Sequence, residues 1–327
     1  MAFVALRNWL LRRHRDLPGG DVPGLGTAGL GTAGLGTAGL GDAAAAAVEP
    51  APIAYAPSGT PARRWGDTRL AIAEDLWGSG FLTAGGGAEL LRLAAPIGLS
   101  AASTLLLLGV GAGGPPQTLA TDLGVWVTGY EADPELAGIA SRRIQRAGDA
   151  LAKRASVALW DPDAPHFPAR LAHHALALDA IRHATATPVL AAIAAALRPH
   201  GHIVLVETVA PVPLDLDDPV IAAWFRLEGR RSAVPEPDAI TGGLSRLGFD
   251  VRVVEDISAR HMGQALLGWR HLVRLMARER PTPERAAAVV AEAELWTRRI
   301  RLMHGGQIRL MRWHAIAGSG PAGGPGG

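Results

Sequence analysis

The chain contains no cysteine, and Lys153 is its only lysine among 327 residues. Without cysteine there is no disulfide framework, no thiolate metal site and no cysteine nucleophile. The formal net charge is only +2, and the basic charge comes almost entirely from arginine. This balance gives no support for binding to nucleic acid. No apolar run is long enough to span a bilayer, so we expect no integral membrane segment.

Residues 1–16 begin with a short apolar segment that is followed by arginines. A secretory signal has the reverse order, with its charges before a longer apolar part. We therefore expect a cytoplasmic protein with an N-terminal helix over residues 1–16. A helix lying on a membrane surface is the alternative for this segment.

Residues 17–57 have a different character, because they repeat the unit GLGTA and continue into an alanine run. Glycine at every second or third position does not hold a helix, and no apolar face forms. We predict a flexible low-complexity linker here, with repeat-built structure as a weaker alternative. The predicted domain is 58–317, and the glycine- and proline-rich residues 318–327 are predicted to be a disordered tail.

The most informative stretch covers residues 103–133. Four leucines at 105–108 predict a fully buried parallel strand. A turn with Gly109, Gly111 and Gly113 follows, and glycine lets a ligand approach the backbone closely. A second apolar strand ends at Glu131, about 20 residues later, where a carboxylate can accept hydrogen bonds from ribose. This order predicts a βαβ unit with a nucleoside-cofactor site; the alternative is a tight turn that binds nothing.

These segments resemble motifs of the class I S-adenosylmethionine-dependent methyltransferases. LLLLGVGAG at 105–113 is similar to their first motif, GYEAD at 129–133 to their second strand, and ALRPHGHIVLVE at 196–207 to a later strand. DLWGSGFLTAGG at 75–86 looks like the segment that precedes the first motif in small-molecule methyltransferases. Two positions depart from the pattern: Leu107 stands where the family often has an acid, and His200 stands where a glycine is usual.

The resemblance implies a Rossmann-like α/β fold with a seven-stranded sheet. Helices would precede the first strand, a helical insertion at 258–303 would precede the last strand, and that strand would run antiparallel beside the fifth. It also implies S-adenosyl-L-methionine as the cofactor, with the three glycines beside its methionine and ribose part and Glu131 on the ribose. The expected activity is methylation of a small-molecule acceptor at nitrogen, oxygen or carbon.

Further candidate residues follow from the rule that ligands of an open α/β sheet bind beyond the carboxyl ends of its strands. Trp160 and Asp161 follow the third predicted strand. We expect Asp161 to accept from the adenine amino group, and Trp160 to stack on the ring; a solvated turn with a core tryptophan is the alternative. Asp179 and His183 lie at the end of the fourth strand, predicted over 176–181.

His183 is the candidate general base, because an imidazole titrates near neutral pH. Its alternatives are a helix cap or a side chain that fills the edge of the core. Asp179 and Glu207 are candidates for contact with the acceptor. No metal-ligand spacing such as H-E-x-x-H occurs, so no metal is expected.

Two rival functions remain open at this stage. One is a methyltransferase-like binding module without catalysis, which Leu107, His200 and the lack of an obvious base favour modestly. The other is a nicotinamide-dependent oxidoreductase, which the G-x-G-x-G spacing disfavours because the dinucleotide fingerprint is G-x-G-x-x-G.

Overall fold

The structure, a computed structural model, describes residues 65–318. The helix predicted at 1–16, the linker predicted at 17–57 and nearly all of the tail predicted at 318–327 lie outside these residues. Among residues 65–318, no helix combines the length and the apolar character needed to cross a membrane.

A seven-stranded sheet with the order β3-β2-β1-β4-β5-β7-β6 is the centre of the fold. Its strands are β1 (Thr104–Leu108), β2 (Trp126–Glu131), β3 (Ala155–Leu159), β4 (His174–Leu178), β5 (His202–Val209), β6 (Phe249–Asp256) and β7 (Arg309–Ala317). The first five strands pair in parallel, and β7 runs antiparallel to both β5 and β6. The predicted seven-stranded sheet with an antiparallel last strand is therefore confirmed.

Ten α-helices flank this sheet within the described residues. They are α1 (Asp67–Trp77), α2 (Gly86–Ala94), α3 (Gly114–Asp122), α4 (Pro134–Arg146), α5 (Asp149–Arg154), α6 (Ala186–Ala196), α7 (Pro219–Glu228), α8 (Pro237–Arg246), α9 (Ser258–Arg278) and α10 (Pro283–His304). The helical insertion predicted at 258–303 corresponds to α9 and α10. These are separate helices because Pro283 starts α10, and the Thr282 side chain caps it by accepting from the Arg285 N–H at 3.2 Å.

The leucines of β1 show how the sheet separates two hydrophobic cores. All four are fully buried, as predicted. Leu105 and Leu107 belong to a core with helices α1, α2, α9 and α10, whereas Leu106 and Leu108 belong to a core on the opposite face. Alternate side chains of a strand point to opposite faces, so a strand in the middle of the sheet must be apolar throughout.

The fourth strand is shorter than predicted, since it ends at Leu178 and not at residue 181. Asp179 takes a left-handed conformation with φ of 50°, and a 3₁₀ turn follows over Ala180–His183. The N–H groups of Ala180 and Ile181 donate to the Glu207 carboxyl at 2.7 and 3.2 Å. A side chain of β5 therefore takes the backbone donors that strand pairing would have used.

His200 occupies a left-handed position as well, with φ of 60°. Its N–H donates to the Ala317 carbonyl at 3.1 Å, which joins the turn before β5 to the end of β7. A glycine would adopt this conformation without strain. The departure at His200 therefore leaves the turn geometry unchanged.

Candidate active site

The site begins at the point where the strand order reverses. β1 lies between β2 and β4, so the loops after β1 and β4 leave the sheet next to each other on its carboxyl edge. A crevice at such a reversal is the usual ligand site of an open α/β sheet. Gly109 follows β1 and Asp179 follows β4.

The predicted glycines form a turn that other residue types cannot replace without strain. Gly109, Gly111 and Gly113 have φ values of 75°, 60° and 97°, all in the left-handed region. A Cβ on Gly109 would lie 2.0 Å from the Leu178 carbonyl oxygen, and one on Gly113 would lie 3.0 Å from the Ala140 Cα. The turn is thus packed tightly against β4 on one side and α4 on the other.

Glu131 lies against this turn at the end of β2. Its Oε2 accepts from the Gly111 N–H at 2.7 Å, and its Oε1 accepts from the N–H groups of Ala132 and Asp133 at 3.0 and 3.2 Å. Burial raises the pKa of Glu131, while these backbone donors and the charge of Arg182 oppose the rise. A carboxylate has about four lone-pair positions, so Oε2 keeps one for a further donor.

The segment that precedes β1 closes over the same turn. The Gly114 N–H donates to the Gly80 carbonyl at 3.0 Å, and the Gly80 N–H donates to the Glu74 carboxylate at 2.9 Å. Arg143 of α4 binds the Glu74 carboxylate and also donates to the Ala112 carbonyl at 2.9 Å. This arrangement explains the WGSGF sequence, because a Cβ on Gly80 would lie 2.4 Å from the Gly114 nitrogen.

A cleft with an empty volume of about 650 Å³, including its open mouth, starts beside this turn. Pro115 at the start of α3, Asp179 after β4, His261 of α9 and Arg299 of α10 all line it. Most of its wall is apolar; these wall residues include Phe81, Leu90, Leu93, Val206, Ile257 and Leu310. A largely apolar wall with a few polar groups is typical of small-molecule sites.

Two acidic side chains, Asp179 and Glu207, occupy the carboxyl ends of β4 and β5. Burial raises the pKa of Asp179, but the guanidinium groups of Arg230 and Arg182 outweigh it and lower that pKa to about 2. Burial raises the pKa of Glu207 well above its usual value, and the charge of Asp179 raises it further. Asp179 is thus the ionised member of the pair.

Arg230 and Arg299 connect this acidic pair to the last helices. Arg230 lies 3.4 Å from Asp179 and 3.8 Å from Glu228, and Arg299 donates to Glu228 at 2.8 Å and to the Thr208 hydroxyl at 3.1 Å. All of these groups are largely buried. Buried charges require such pairing, because each isolated ion would lose several kcal/mol of hydration.

His261 is a titratable residue of the cleft that the sequence analysis did not predict, as are Glu89 and Arg299. Only 6% of its surface is exposed, and its Nε2 has no hydrogen-bond partner within residues 65–318. Burial lowers its pKa to about 3, and the charge of Arg299 contributes to the shift. A signal was available: His261 shares one helical face with Ala265, Trp269 and Leu272, which are apolar and buried. A histidine on such a stripe faces the protein interior.

The remaining predicted residues lie in different surroundings. Asp161 is exposed after β3, and its carboxylate accepts from the Asp163 N–H at 2.9 Å. Trp160 is 5% exposed and packs against Phe167 with ring centroids 5.8 Å apart. His183 is half-buried in the 3₁₀ turn. The structure therefore brings Asp179, Glu131 and the glycines to one crevice, whereas Trp160 belongs to the core on the opposite face of the sheet.

Residues 65–318 contain no candidate metal site. No group of three or more histidine, aspartate or glutamate side chains there has the arrangement to hold an ion.

Several solved structures have the same fold as this chain. One of them is phosphoethanolamine N-methyltransferase 2 of Haemonchus contortus in complex with S-adenosyl-L-methionine. The TM-score is 0.67 and the sequence identity is 18%, and the match covers 79% of this chain and 58% of that one. The fold is that of the class I methyltransferases. A putative sarcosine dimethylglycine methyltransferase of Galdieria sulphuraria matches with a TM-score of 0.62 and 14% identity over 77% of this chain and 99% of that one.

The same fold also occurs in a protein that is named as a cyclase. The [4+2]-cyclase SpnF matches with a TM-score of 0.58 and 18% identity over 78% of this chain and 94% of that one. No protein-family model matches the sequence, and no curated protein matches it. The chain spans 58% of the length of the Haemonchus structure, and 59% of a second structure of the same enzyme in complex with phosphomonomethylethanolamine and S-adenosylhomocysteine. The likeness therefore establishes the fold, and the reaction has to be argued from the site.

Proposed function

We propose that this protein is an S-adenosylmethionine-dependent methyltransferase that acts on a small molecule. The observation that carries the proposal is the contact between Glu131 and the glycine turn. The buried Glu131 carboxylate keeps one acceptor position there, beside a backbone that lacks Cβ atoms. The proposal is supported by the cleft that continues from this point along β4 and β5. The structural likeness to phosphoethanolamine N-methyltransferase 2, which was solved with S-adenosyl-L-methionine, gives further support.

The residues present fit this cofactor. Glu131 would accept from a ribose hydroxyl through the free position on Oε2, and the left-handed glycines would let the methionine part approach the turn. Asp161 is exposed at the carboxyl end of β3 and stays the proposed acceptor for the adenine amino group. Stacking by Trp160 stays a prediction, and its packing on Phe167 gives it no support.

S-adenosylmethionine, when bound, supplies a methyl group on a sulfonium. The protein's task is then to hold the acceptor in line with that methyl group, because positioning contributes most of the rate in such a displacement. The apolar wall of the cleft excludes water, and the left-handed conformation of Asp179 fixes its carboxylate at the end of β4. His183 stays the proposed base from sequence, although it does not belong to the residues that line the cleft.

The proposal is tested by calorimetric titration of the full chain with S-adenosylmethionine, S-adenosylhomocysteine and NAD. We expect both sulfur ligands to bind in the micromolar range, about −8 kcal/mol, and NAD not to bind. Tight binding of NAD would instead support the oxidoreductase. Failure of both sulfur ligands at high protein concentration would overturn the proposal.

The second candidate function is the methyltransferase-like binding module without catalysis, and one observation favours it. The [4+2]-cyclase SpnF shares the fold, so a chain with this architecture need not be a methyltransferase. A protein that binds the sulfur ligands without transferring methyl groups to any acceptor would fit this candidate. Release of S-adenosylhomocysteine during turnover separates the two.

A further inference from the structure

The charged side chains that line the cleft are already paired. Glu89 accepts from Arg260 at 2.9 Å, and Asp179 lies 3.4 Å from Arg230 and 3.5 Å from Arg182. A cationic ligand would have to displace a guanidinium group from one of these carboxylates. Their charge is therefore a poor anchor for an ammonium group.

Arg299 is the cation of the cleft wall, and both terminal nitrogens of its guanidinium group already donate, although its Nε has no hydrogen-bond partner within residues 65–318. It donates to Glu228 at 2.8 Å and to the Thr208 hydroxyl at 3.1 Å. An anionic ligand would compete with Glu228 for the guanidinium group and would leave that buried carboxylate with less compensation, which is energetically unfavourable. The wall thus favours an uncharged ligand.

His261 is a neutral polar group of the wall, and it has hydrogen-bonding capacity to spare. Its Nε2 has no hydrogen-bond partner within residues 65–318, and only 6% of the residue surface is exposed. A buried polar atom without a partner is unfavourable, so a ligand that supplies the missing hydrogen bond removes this penalty. Neutral imidazole donates at one nitrogen and accepts at the other. A hydroxyl group suits either tautomer, because it can both donate and accept.

We propose that the cleft binds an uncharged, largely apolar molecule whose hydroxyl group forms a hydrogen bond with His261. This inference rests on the proposed function, since it names the class of acceptor for that site. His261 then determines acceptor specificity. The hydroxyl oxygen is then the methyl-acceptor atom. It would lie between the apolar side chains of α2 and β7.

The test uses four probes with one apolar body: 2-naphthol, naphthalene, 2-naphthoate and 2-naphthylmethylammonium. Their dissociation constants are measured by equilibrium dialysis against the full chain. We expect 2-naphthol to bind about tenfold more tightly than naphthalene, the effect of one hydrogen bond to a buried neutral group. We expect both charged probes to bind more weakly than 2-naphthol.

His261→Phe removes the hydrogen bond and keeps the ring volume. It should bind 2-naphthol and naphthalene equally well. His271→Phe makes the same substitution at an exposed position of α9 and should keep the preference. If His261→Phe does not fold, the probe series on the unsubstituted chain still tests the preference for an uncharged ligand with a hydroxyl group, and its absence would overturn the inference.

Equal binding of 2-naphthol and naphthalene, or tightest binding of a charged probe, would overturn the inference. Unchanged preference in a folded His261→Phe would do the same. Calorimetry with S-adenosylhomocysteine is carried out separately. If that ligand binds and the hydroxyl preference is absent, only the acceptor assignment fails; if the preference is present and the sulfur ligand does not bind, the methyltransferase proposal fails.

Discussion

The Glu131 carboxylate accepts a hydrogen bond from the Gly111 N–H at 2.7 Å. The acid that ends β2 and the turn that follows β1 therefore form one unit, although 20 residues separate them in the chain. The same bond orients the carboxylate, so that the remaining lone pair of Oε2 is fixed before any ligand arrives. Such preorganisation lowers the free-energy cost of binding.

This relationship predicts the effect of removing the carboxylate. We expect Glu131→Ala to weaken binding of S-adenosylhomocysteine by about 1–3 kcal/mol, because charge-assisted hydrogen bonds are lost. Calorimetric titration measures the change. Asp122→Asn, at the exposed end of α3, is the matched control and should bind normally. Unchanged affinity in folded Glu131→Ala would show that this carboxylate does not contact the ligand.

The turn itself makes a prediction about stability. Gly109→Ala should lower the free energy of unfolding by about 3 kcal/mol or more, since the new Cβ would lie 2.0 Å from the Leu178 carbonyl oxygen. Gly98 is the control: its φ of 68° is similar to the 75° of Gly109, but a Cβ there meets no described atom within 4 Å. Gly98→Ala should lose only the ~1–2 kcal/mol of a left-handed alanine. Urea unfolding of both variants decides, and equal losses would refute the packing argument.

Much of the fold could be predicted from the sequence, because its signals are local. The leucines of β1, the glycine turn and Glu131 lie within about 30 residues, and their order reflects one βαβ unit. The end of β4 could not be predicted in this way. It depends on the Glu207 carboxyl, which lies 27 residues after Ala180 and takes its N–H group.

The candidate site was predicted less completely for the same reason. His261 and Arg299 reach the cleft from two different helices, and Arg299 is paired with Glu228, 71 residues earlier. Trp160 shows a second limit. Its position after β3 was predicted, but the side of the sheet on which its ring packs depends on Phe167.

A row of histidines at the opposite edge of the sheet predicts a loss of stability in acid. The ring of His174 lies 5.3 Å from that of His202, and its Nδ1 accepts from the His202 N–H at 3.1 Å. Protonation of this nitrogen removes the acceptor. Burial, together with the charges of the neighbouring histidines His202 and His173, lowers the pKa of His174 from 6.5 to about 4.

The sign of the effect follows from the direction of this shift. Between pH 6.5 and about 4 the unfolded chain binds more protons at His174 than the folded one, so stability falls as the pH falls through this range. Urea unfolding at several pH values measures the slope. His174→Gln keeps an acceptor for the His202 N–H but does not titrate, so it should reduce the slope. An unchanged slope would assign the acid sensitivity to other groups.

Two adjacent arginines of α10 allow a comparison of buried and exposed ion pairs. Arg299 pairs with Glu228, and their side chains are 9% and 2% exposed; Arg298 pairs with Glu294, and theirs are 30% and 50% exposed. We expect Arg299→Met to lower the free energy of unfolding by about 3–5 kcal/mol, because Glu228 keeps a buried charge with less compensation. Arg298→Met should change it by less than about 1 kcal/mol, as is usual for an exposed pair. Both are measured by urea unfolding at pH 7. Arg299→Met with added Glu228→Gln should recover part of the loss, since the buried charge that lost one of its partners is then removed. Similar small losses in both single variants would mean that water reaches the Arg299 pair, and an anionic ligand could then take Arg299 from Glu228 at little cost.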